Sequence, residues 1–212
     1  MSLPIRRNVL FDFGGPLLKT PFELRDLAAA SMGVHVDQLP TGPFAPDLDP
    51  EWKAWQAEEI TERDYWTRVG ARFGLDIVGL MRYFFEPSGD HLIRRETWSI
   101  VEEVQAAGFT AGVLTNDLSA FHPPSWRDPI TVLKLVDPLV DLSATGYLKP
   151  HPKAYATAIE AMGVEPSKIV FIDDQPYNVE GARTAGITGI FFDQTDVAGT
   201  VAALRAALAE EG

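Results

Sequence analysis

Three apolar runs, residues 9–11 (Val-Leu-Phe), 110–114 and 169–172, set the limits on what this chain can fold into. They are too short for core helices and too continuous for strands with one wet face, so they read as buried strands of a parallel sheet. Stretches of helical period separate them and are stopped by glycine: 92–107 at Gly108, 152–162 at Gly163 and 178–185 at Gly186. Glycine just past a periodic stretch is a helix C-terminal signal. A fourth strand at 188–192 and a closing helix at 197–209 continue the alternation. Strand and helix at this spacing build βαβ units with right-handed crossovers, hence an α/β fold on a parallel sheet. Residues 118–141 hold no long element, because Pro123, Pro124, Pro129 and Pro138 interrupt them, and a short strand is expected at 142–144.

Between the first two strands the signals are helical only. Residues 22–32 form a helix candidate with Pro21 near its start and Gly33 past its end. Residues 36–49, rich in Pro, Gly and Asp, read as a loop. A helix at 51–59 follows Pro50 and puts Trp52 and Trp55 on one face. Thr61 and Asp64 resemble a capping box that starts a helix running to about Phe73, and 77–85 is a fourth helical segment. An all-helical block between strand-like segments reads as an inserted bundle.

Each strand ends on polar chemistry. Residues 9–11 run into Asp12, then Phe13, Gly14, Gly15 and Pro16. A carboxylate inside a buried strand is costly to ionise without partners. At the carboxyl end of a parallel strand it instead faces the crevice where open α/β sheets bind ligands. Asp12 therefore reads as a nucleophile or metal ligand at the mouth of the sheet, or else as a strand-end Asp that starts a turn; this stretch alone leaves both open. The same end of the sheet gathers Thr115-Asn116, Lys149 and Asp173-Asp174. Taken singly, Thr115 reads as a turn cap, and Lys149 reads equally as an ordinary loop lysine or as an anion-binding one. Together they make a set in which one carboxylate attacks and a hydroxyl and an ammonium hold an anion. A second carboxylate helps Asp12 hold a hard divalent cation such as Mg²⁺, which suits oxygen ligands and phosphate.

The order hhhDxxG, hhhTN, K-P and hhhDDxxxNxxGA (h, apolar) resembles the haloacid dehalogenase superfamily of phosphatases and related hydrolases. The likeness covers residues 9–17 and roughly 110–192. The run VFIDDQPYNVEGARTAGITGI is its most specific part, similar to sugar-phosphate phosphatases and to the phosphatase domain of some epoxide hydrolases. The resemblance implies a three-layer Rossmann-like parallel sheet core over 1–19 and 86–212, with a type-1 helical cap inserted over 20–85. It implies that Asp12 attacks phosphorus to form an aspartyl-phosphate, and that Asp12, the Gly14 carbonyl and Asp174 hold Mg²⁺. Thr115 and Lys149 would bind the phosphoryl group, Asn116 would orient substrate, and Lys149 would stabilise the charge on Asp12. Asp173, at a position often Gly in relatives, and Asn178, where many relatives carry an acid, take supporting roles.

The departure from the family is at Gly14, where most of its phosphatases carry a second Asp as general acid and base. Gly14 cannot transfer a proton. The reaction must then favour less basic leaving groups or borrow an acid from the cap or from water. Pro16 also departs from the Thr or Val of relatives. The leading expectation is a Mg²⁺-dependent phosphohydrolase acting on a small phosphorylated metabolite, sugar phosphates among the candidates. The alternatives are a dehalogenase in which Asp12 attacks carbon, and a catalytically weak metal- or phosphate-binding relative.

Composition narrows the partners. A formal net charge of −12 over 212 residues repels nucleic acid and anionic lipid. The chain has no cysteine, which removes thiolate nucleophiles and Cys-based zinc sites. No apolar run reaches membrane-spanning length and no signal-peptide pattern opens the chain, so a cytoplasmic protein is expected. The terminal residues 1–3 and 211–212 are compatible with expression remnants. Trp52, Trp55, Tyr65 and Trp66 read as cap core. Arg68 and Arg72 read as a solvated face, and the four histidines have no metal-ligand spacing.

Overall fold

The computed structural model describes residues 4–211; residues 1–3 and Gly212, at the suspected remnants, lie outside them. The elements run β1 (Asn8–Phe11), α1 (Arg25–Met32), α2 (Pro50–Gln56), α3 (Glu62–Ala71), α4 (Ile77–Phe85), α5 (Arg95–Ala106), β2 (Ala111–Thr115), α6 (Leu118–Phe121), α7 (Pro124–Arg127), β3 (Leu139–Asp141), α8 (Pro152–Met162), β4 (Ile169–Asp173), α9 (Pro176–Thr184), β5 (Thr188–Phe191) and α10 (Val197–Ala209). Five strands form one sheet in the order β3-β2-β1-β4-β5, every pair parallel.

The central strand explains the layers. Every residue of β1 is buried. Val9 and Phe11 belong to one apolar cluster with the packed faces of α5 and α10, while Leu10 joins Leu114, Phe171, Tyr155 and Ala158 in a second cluster under α8. Side chains alternate across a strand, so one strand feeds both cores and the sheet lies between two helical layers. β2 and β4 are likewise buried along their whole length. Burial on both faces is why these runs carry no polar alternation.

The third strand is Leu139–Asp141 rather than the expected 142–144. The Val113 amide donates to the Pro138 carbonyl at 2.8 Å, which sets the pairing of Val113 with Leu139. Asp141 then ends the strand by accepting from the Ser143 amide at 3.0 Å and the Ser119 amide at 3.0 Å. β3 is an edge strand with Leu139 exposed, so burial imposes no continuous apolar run there. Residues 118–141 otherwise form short helical turns between the prolines.

The four helices between β1 and α5 match their expected positions with displaced ends. α1 begins at Arg25, because the Glu23 carboxylate accepts from the Thr20 amide at 2.8 Å and holds Phe22 in a turn. α2 begins at Pro50, capped by Asp49 on the Trp52 amide at 3.0 Å, and ends at Gln56, two residues before Glu58 enters the left-handed region at φ 57°. The Thr61–Asp64 capping box is formed in both directions and fixes the start of α3. Phe22, Trp52, Trp55, Tyr65 and Trp66 pack together with ring centroids 4.8–6.4 Å apart, which gives this block its own aromatic centre. The chain leaves for the block and returns side by side: the Lys19 amide donates to Leu92 and the Arg94 amide to Leu17, at 3.0 and 2.7 Å.

Candidate active site

Asp12 lies one residue past the last paired rung of β1, its amide bonded to the Ile172 carbonyl at 2.8 Å. The chain then turns sharply. Gly15 sits at φ +84°, and a Cβ there would lie 2.9 Å from the Asp174 carboxyl, so only glycine lets this loop pass so close to that side chain. A Cβ at Gly14 would meet no atom within 4 Å.

Lys149 is the hub. It is 4% exposed, and its Nζ lies 2.8 Å from Asp12 Oδ1, 2.6 Å from Asp173 Oδ2 and 3.0 Å from the Leu114 carbonyl. An ammonium has three protons, and here each has an acceptor. Asn116 fixes the backbone of this lysine from both sides, accepting from its amide at 2.7 Å and donating to its carbonyl at 3.2 Å. The Asn116 amide group is thereby committed to the lysine loop. Thr115, buried at the end of β2, lines the same cavity with a hydroxyl that takes no hydrogen bond among the described residues.

The two adjacent aspartates differ in what their oxygens hold. Asp173 is fully buried and saturated: Oδ1 accepts from the Gln175 amide at 2.8 Å and Asn178 Nδ2 at 3.1 Å, Oδ2 from Lys149 and again from Asn178 Nδ2. Asp174 accepts on Oδ2 from Gln194 Nε2 at 2.5 Å, and its other oxygen is unengaged among the described residues. Asp12, Asp173 and Asp174 each offer an oxygen within 4.8 Å of the others. The buried Asn178 Oδ1 has no hydrogen-bond partner among the described residues. An all-oxygen donor set with an unmet buried acceptor beside it fits a hydrated hard divalent cation, whose water would supply the missing donor.

Charge at the site is unbalanced, with three carboxylates against one ammonium. Burial pushes Asp12 up to about 7, with Lys149 pulling it down and Asp173 pushing it further up. Asp174 is raised well above the carboxylate range by burial and by the charges of Asp173 and Asp12. Burial opposes the charge on Lys149, but Asp12 and Asp173 overcome it and hold the ammonium more firmly than usual.

The helical block closes over this pocket. Trp55 Nε1 donates to the Tyr177 hydroxyl at 2.8 Å, Gln56 Nε2 to Gln175 Oε1 at 2.8 Å, and Arg63 is ion-paired with the buried Asp117. The cavity between block and sheet measures about 100 Å³ and is lined on the sheet side by Asp12, Thr115, Lys149 and Asp174, and on the block side by Trp55, Glu62 and Trp66. Trp55 and Trp66 are thus core residues that also line the cavity. Arg68 and Arg72 are exposed, as expected, with Arg72 paired to Glu51. His122 lines the cavity too, but it stacks on Trp126 at 3.8 Å and burial pushes it down to about 3, so it is neutral.

Glu62 is the residue the sequence did not single out. It follows the N-cap of α3, where an acidic residue ordinarily serves the helix dipole. Here it is half-buried, and burial first, then the charges of Asp117 and Asp12, push it up to about 8. Only the docking of α3 onto the sheet creates that environment.

The chain is similar in sequence and fold to known proteins. The sequence model of the haloacid dehalogenase-like hydrolase family matches residues 7–186. The chain is 35% identical over 95 residues to the phosphatase MT3486 of Mycobacterium tuberculosis (strain CDC 1551 / Oshkosh), covering 45% of this chain and 44% of that one. It is 24% identical over 196 residues to the pyrophosphatase PpaX of Bacillus velezensis, covering 84% of this chain and 79% of the other. The chain spans less than half the length of the first curated relatives it matches. Among solved structures, the magnesium-bound HAD-hydrolase YfnB of Bacillus subtilis superposes with a TM-score of 0.60 at 18% identity, over 86% of this chain and 85% of that one. With the family match spanning both ends of the site, the chain belongs to the haloacid dehalogenase-like hydrolases.

Proposed function

We propose that the protein is a Mg²⁺-dependent phosphohydrolase of small phosphorylated metabolites that works through an aspartyl-phosphate on Asp12. The observation that carries this reading is the excess of carboxylate over ammonium in an otherwise ordered pocket: Asp12, Asp173 and Asp174 gather within 4.8 Å of one another, and the one ammonium there, Lys149, is already saturated by Asp12, Asp173 and the Leu114 carbonyl. A divalent cation and an anionic phosphoryl group together balance that charge. Asp12, the Gly14 carbonyl and Asp174 would hold Mg²⁺, which when bound neutralises charge on the phosphoryl oxygens. Asp173, with every lone pair in use, supports Lys149 and Asn178 rather than the metal.

The chain's own residues do the rest. Asp12 attacks phosphorus, and Lys149 fixes the attacking carboxylate and faces the developing charge. Thr115 offers its free hydroxyl to a phosphoryl oxygen, and Asn116 acts through the lysine loop it pins. The helical block over 20–85 acts as a lid: a cavity of about 100 Å³ is small for a metabolite, so the substrate enters when the Trp55, Gln56 and Arg63 contacts open. Hydrogen exchange in this block should slow when vanadate and Mg²⁺ are bound; unchanged exchange at saturation would remove the lid. The expected setting is the cytoplasm, and no helix among the described residues is long and apolar enough to cross a membrane.

A screen of phosphate esters, sugar phosphates included, with Mg²⁺ and again with chelator tests the reading. Turnover that needs the metal supports it; absence of turnover across the panel contradicts it. The second reading, attack on carbon with halide release, is favoured by one observation, the missing carboxyl at Gly14, and chloride release from 2-chloropropionate would establish it.

Metal titration gives a sharper expectation. By calorimetry, Asp174→Ala loses most Mg²⁺ affinity, whereas Asp173→Asn loses less. Because burial and like charge raise Asp12 to about 7, protons compete with the cation there. Affinity therefore weakens as pH falls through about 7, and the raised carboxyl of Asp174 adds to the competition from protons. Equal affinity in wild type and Asp174→Ala would take Asp174 off the metal.

A further inference from the structure

Phosphate-ester hydrolysis needs a proton twice, once for the leaving oxygen and once, in reverse, from the attacking water. The core holds no group for this at position 14, where a glycine leaves open space beside the nucleophile. Among the residues that the helical block contributes to the cavity wall, Glu62 alone is ionisable by a carboxyl. The capping box at Thr61 and Asp64 fixes the first turn of α3, and the adjacent Arg63 anchors that turn to the core through Asp117. Glu62 is therefore held on a rigid helix end, opposite the sheet end that carries Asp12.

We propose that Glu62 is the general acid and base of this enzyme, a catalytic residue delivered by the lid in place of the carboxyl missing at Gly14. This rests on the phosphohydrolase reading above. In the first half-reaction an Asp12 oxygen forms a bond to phosphorus while the bond from phosphorus to the leaving oxygen breaks. Its electron pair stays on that oxygen, which takes the proton of the Glu62 carboxyl and departs as an alcohol. In the second, a water oxygen bonds to phosphorus and loses its proton to the Glu62 carboxylate. The electron pair of the Asp12–phosphorus bond returns to Asp12, and phosphate leaves. Ester and water become alcohol and phosphate, and both carboxyl groups end as they began.

The surroundings suit a proton carrier at neutral pH. Burial of Glu62 in the cavity wall, then the negative charges of Asp117 from the end of β2 and Asp12 from the β1 loop, push it up to about 8. Lys149 opposes them, Trp66 of the same helix lines the cavity beside it, and Asp174 and Tyr177 lie within its field. Arg63, next to it, is engaged by Asp117.

The test is kcat/KM for phosphate monoesters of graded leaving-group basicity, since kcat/KM covers the steps up to formation of the aspartyl-phosphate. Glu62→Gln should lose roughly 10²–10⁴-fold with alkyl phosphates and only a few-fold with nitrophenyl phosphate, whose leaving group needs no proton. With nitrophenyl phosphate its kcat should fall and a burst should appear, because water activation is lost. Gly14→Asp placed on Glu62→Gln should restore alkyl turnover, there being room for the side chain. An equal loss for both leaving groups, or no loss, would overturn the proposal while leaving Asp12 and the metal site untouched. If wild type hydrolyses no phosphate ester at all, the phosphohydrolase reading fails and the role of Glu62 fails with it.

Discussion

Asp12→Asn removes turnover by at least about 10⁴-fold, the scale on which loss of a nucleophile reads, and leaves the metal-free protein no less stable than wild type. An amide cannot form the acyl phosphate. It keeps an oxygen that can accept the Lys149 hydrogen bond now made at 2.8 Å, so the local geometry survives. The stability half of the expectation follows from linkage. The Asp12 carboxyl is raised from its unfolded value of 3.8 to about 7. The folded state therefore binds the proton more tightly, and stability is lost as pH rises through that interval. Without metal, wild type carries the full burden at about pH 8, and Asp12→Asn relieves it. Thermal unfolding with chelator at high pH should show the variant equal or higher, the gap closing as pH falls toward the unfolded value. A marked drop in stability would mean that the ionised carboxylate holds the fold together, which the crowding of three aspartates argues against.

Lys149→Met has the opposite signature, with activity and stability falling together. The lysine is 4% exposed and is the cation that faces Asp12 and Asp173 at close range. Removing one partner of a buried ion pair costs about 3–5 kcal/mol, because the remaining charge is left uncompensated. The denaturation midpoint should fall by that measure with an unchanged m value. Loss of a charge-stabilising donor at the reacting group should cost on the order of 10²–10³ in turnover as well. Combining it with Asp173→Asn separates the two effects. The double variant should recover part of the stability, since fewer buried charges lack a partner, and none of the activity. Recovery of activity would mean that Lys149 serves only to neutralise Asp173.

What the sequence disclosed and what it hid divide along the number of segments involved. β1, β2 and β4 are buried on both faces, so each wrote an unbroken apolar run, and the glycines that stop α1 and α8 sit at φ 68° and 65°, where other residues are strained. Asp12, Thr115 and Asp174 were found because each ends or follows such a strand, whereas Lys149, in the loop after the edge strand β3, stood out only through the K-P of the family resemblance. β3 was displaced by three residues because an edge strand with an exposed Leu139 imposes no pattern. Asn116 announces itself as polar but not what it binds; its partner is 33 residues further along. Glu62 was invisible for the same reason in stronger form. Its environment comes from Asp12, Asp117 and Lys149, residues on three other segments, and alone it looks like any first-turn acid.

The central claim is that phosphorus passes through Asp12. Acid quench during turnover of a fast phosphate ester with Mg²⁺, followed by peptide mass analysis, reads this directly. The account predicts the added mass of one phosphoryl group on the peptide that carries Asp12, absent in Asp12→Asn and absent when the metal is chelated. Hydrolysis that proceeds at full rate under conditions where the covalent species should accumulate, with no phosphoryl group on that peptide, would contradict it.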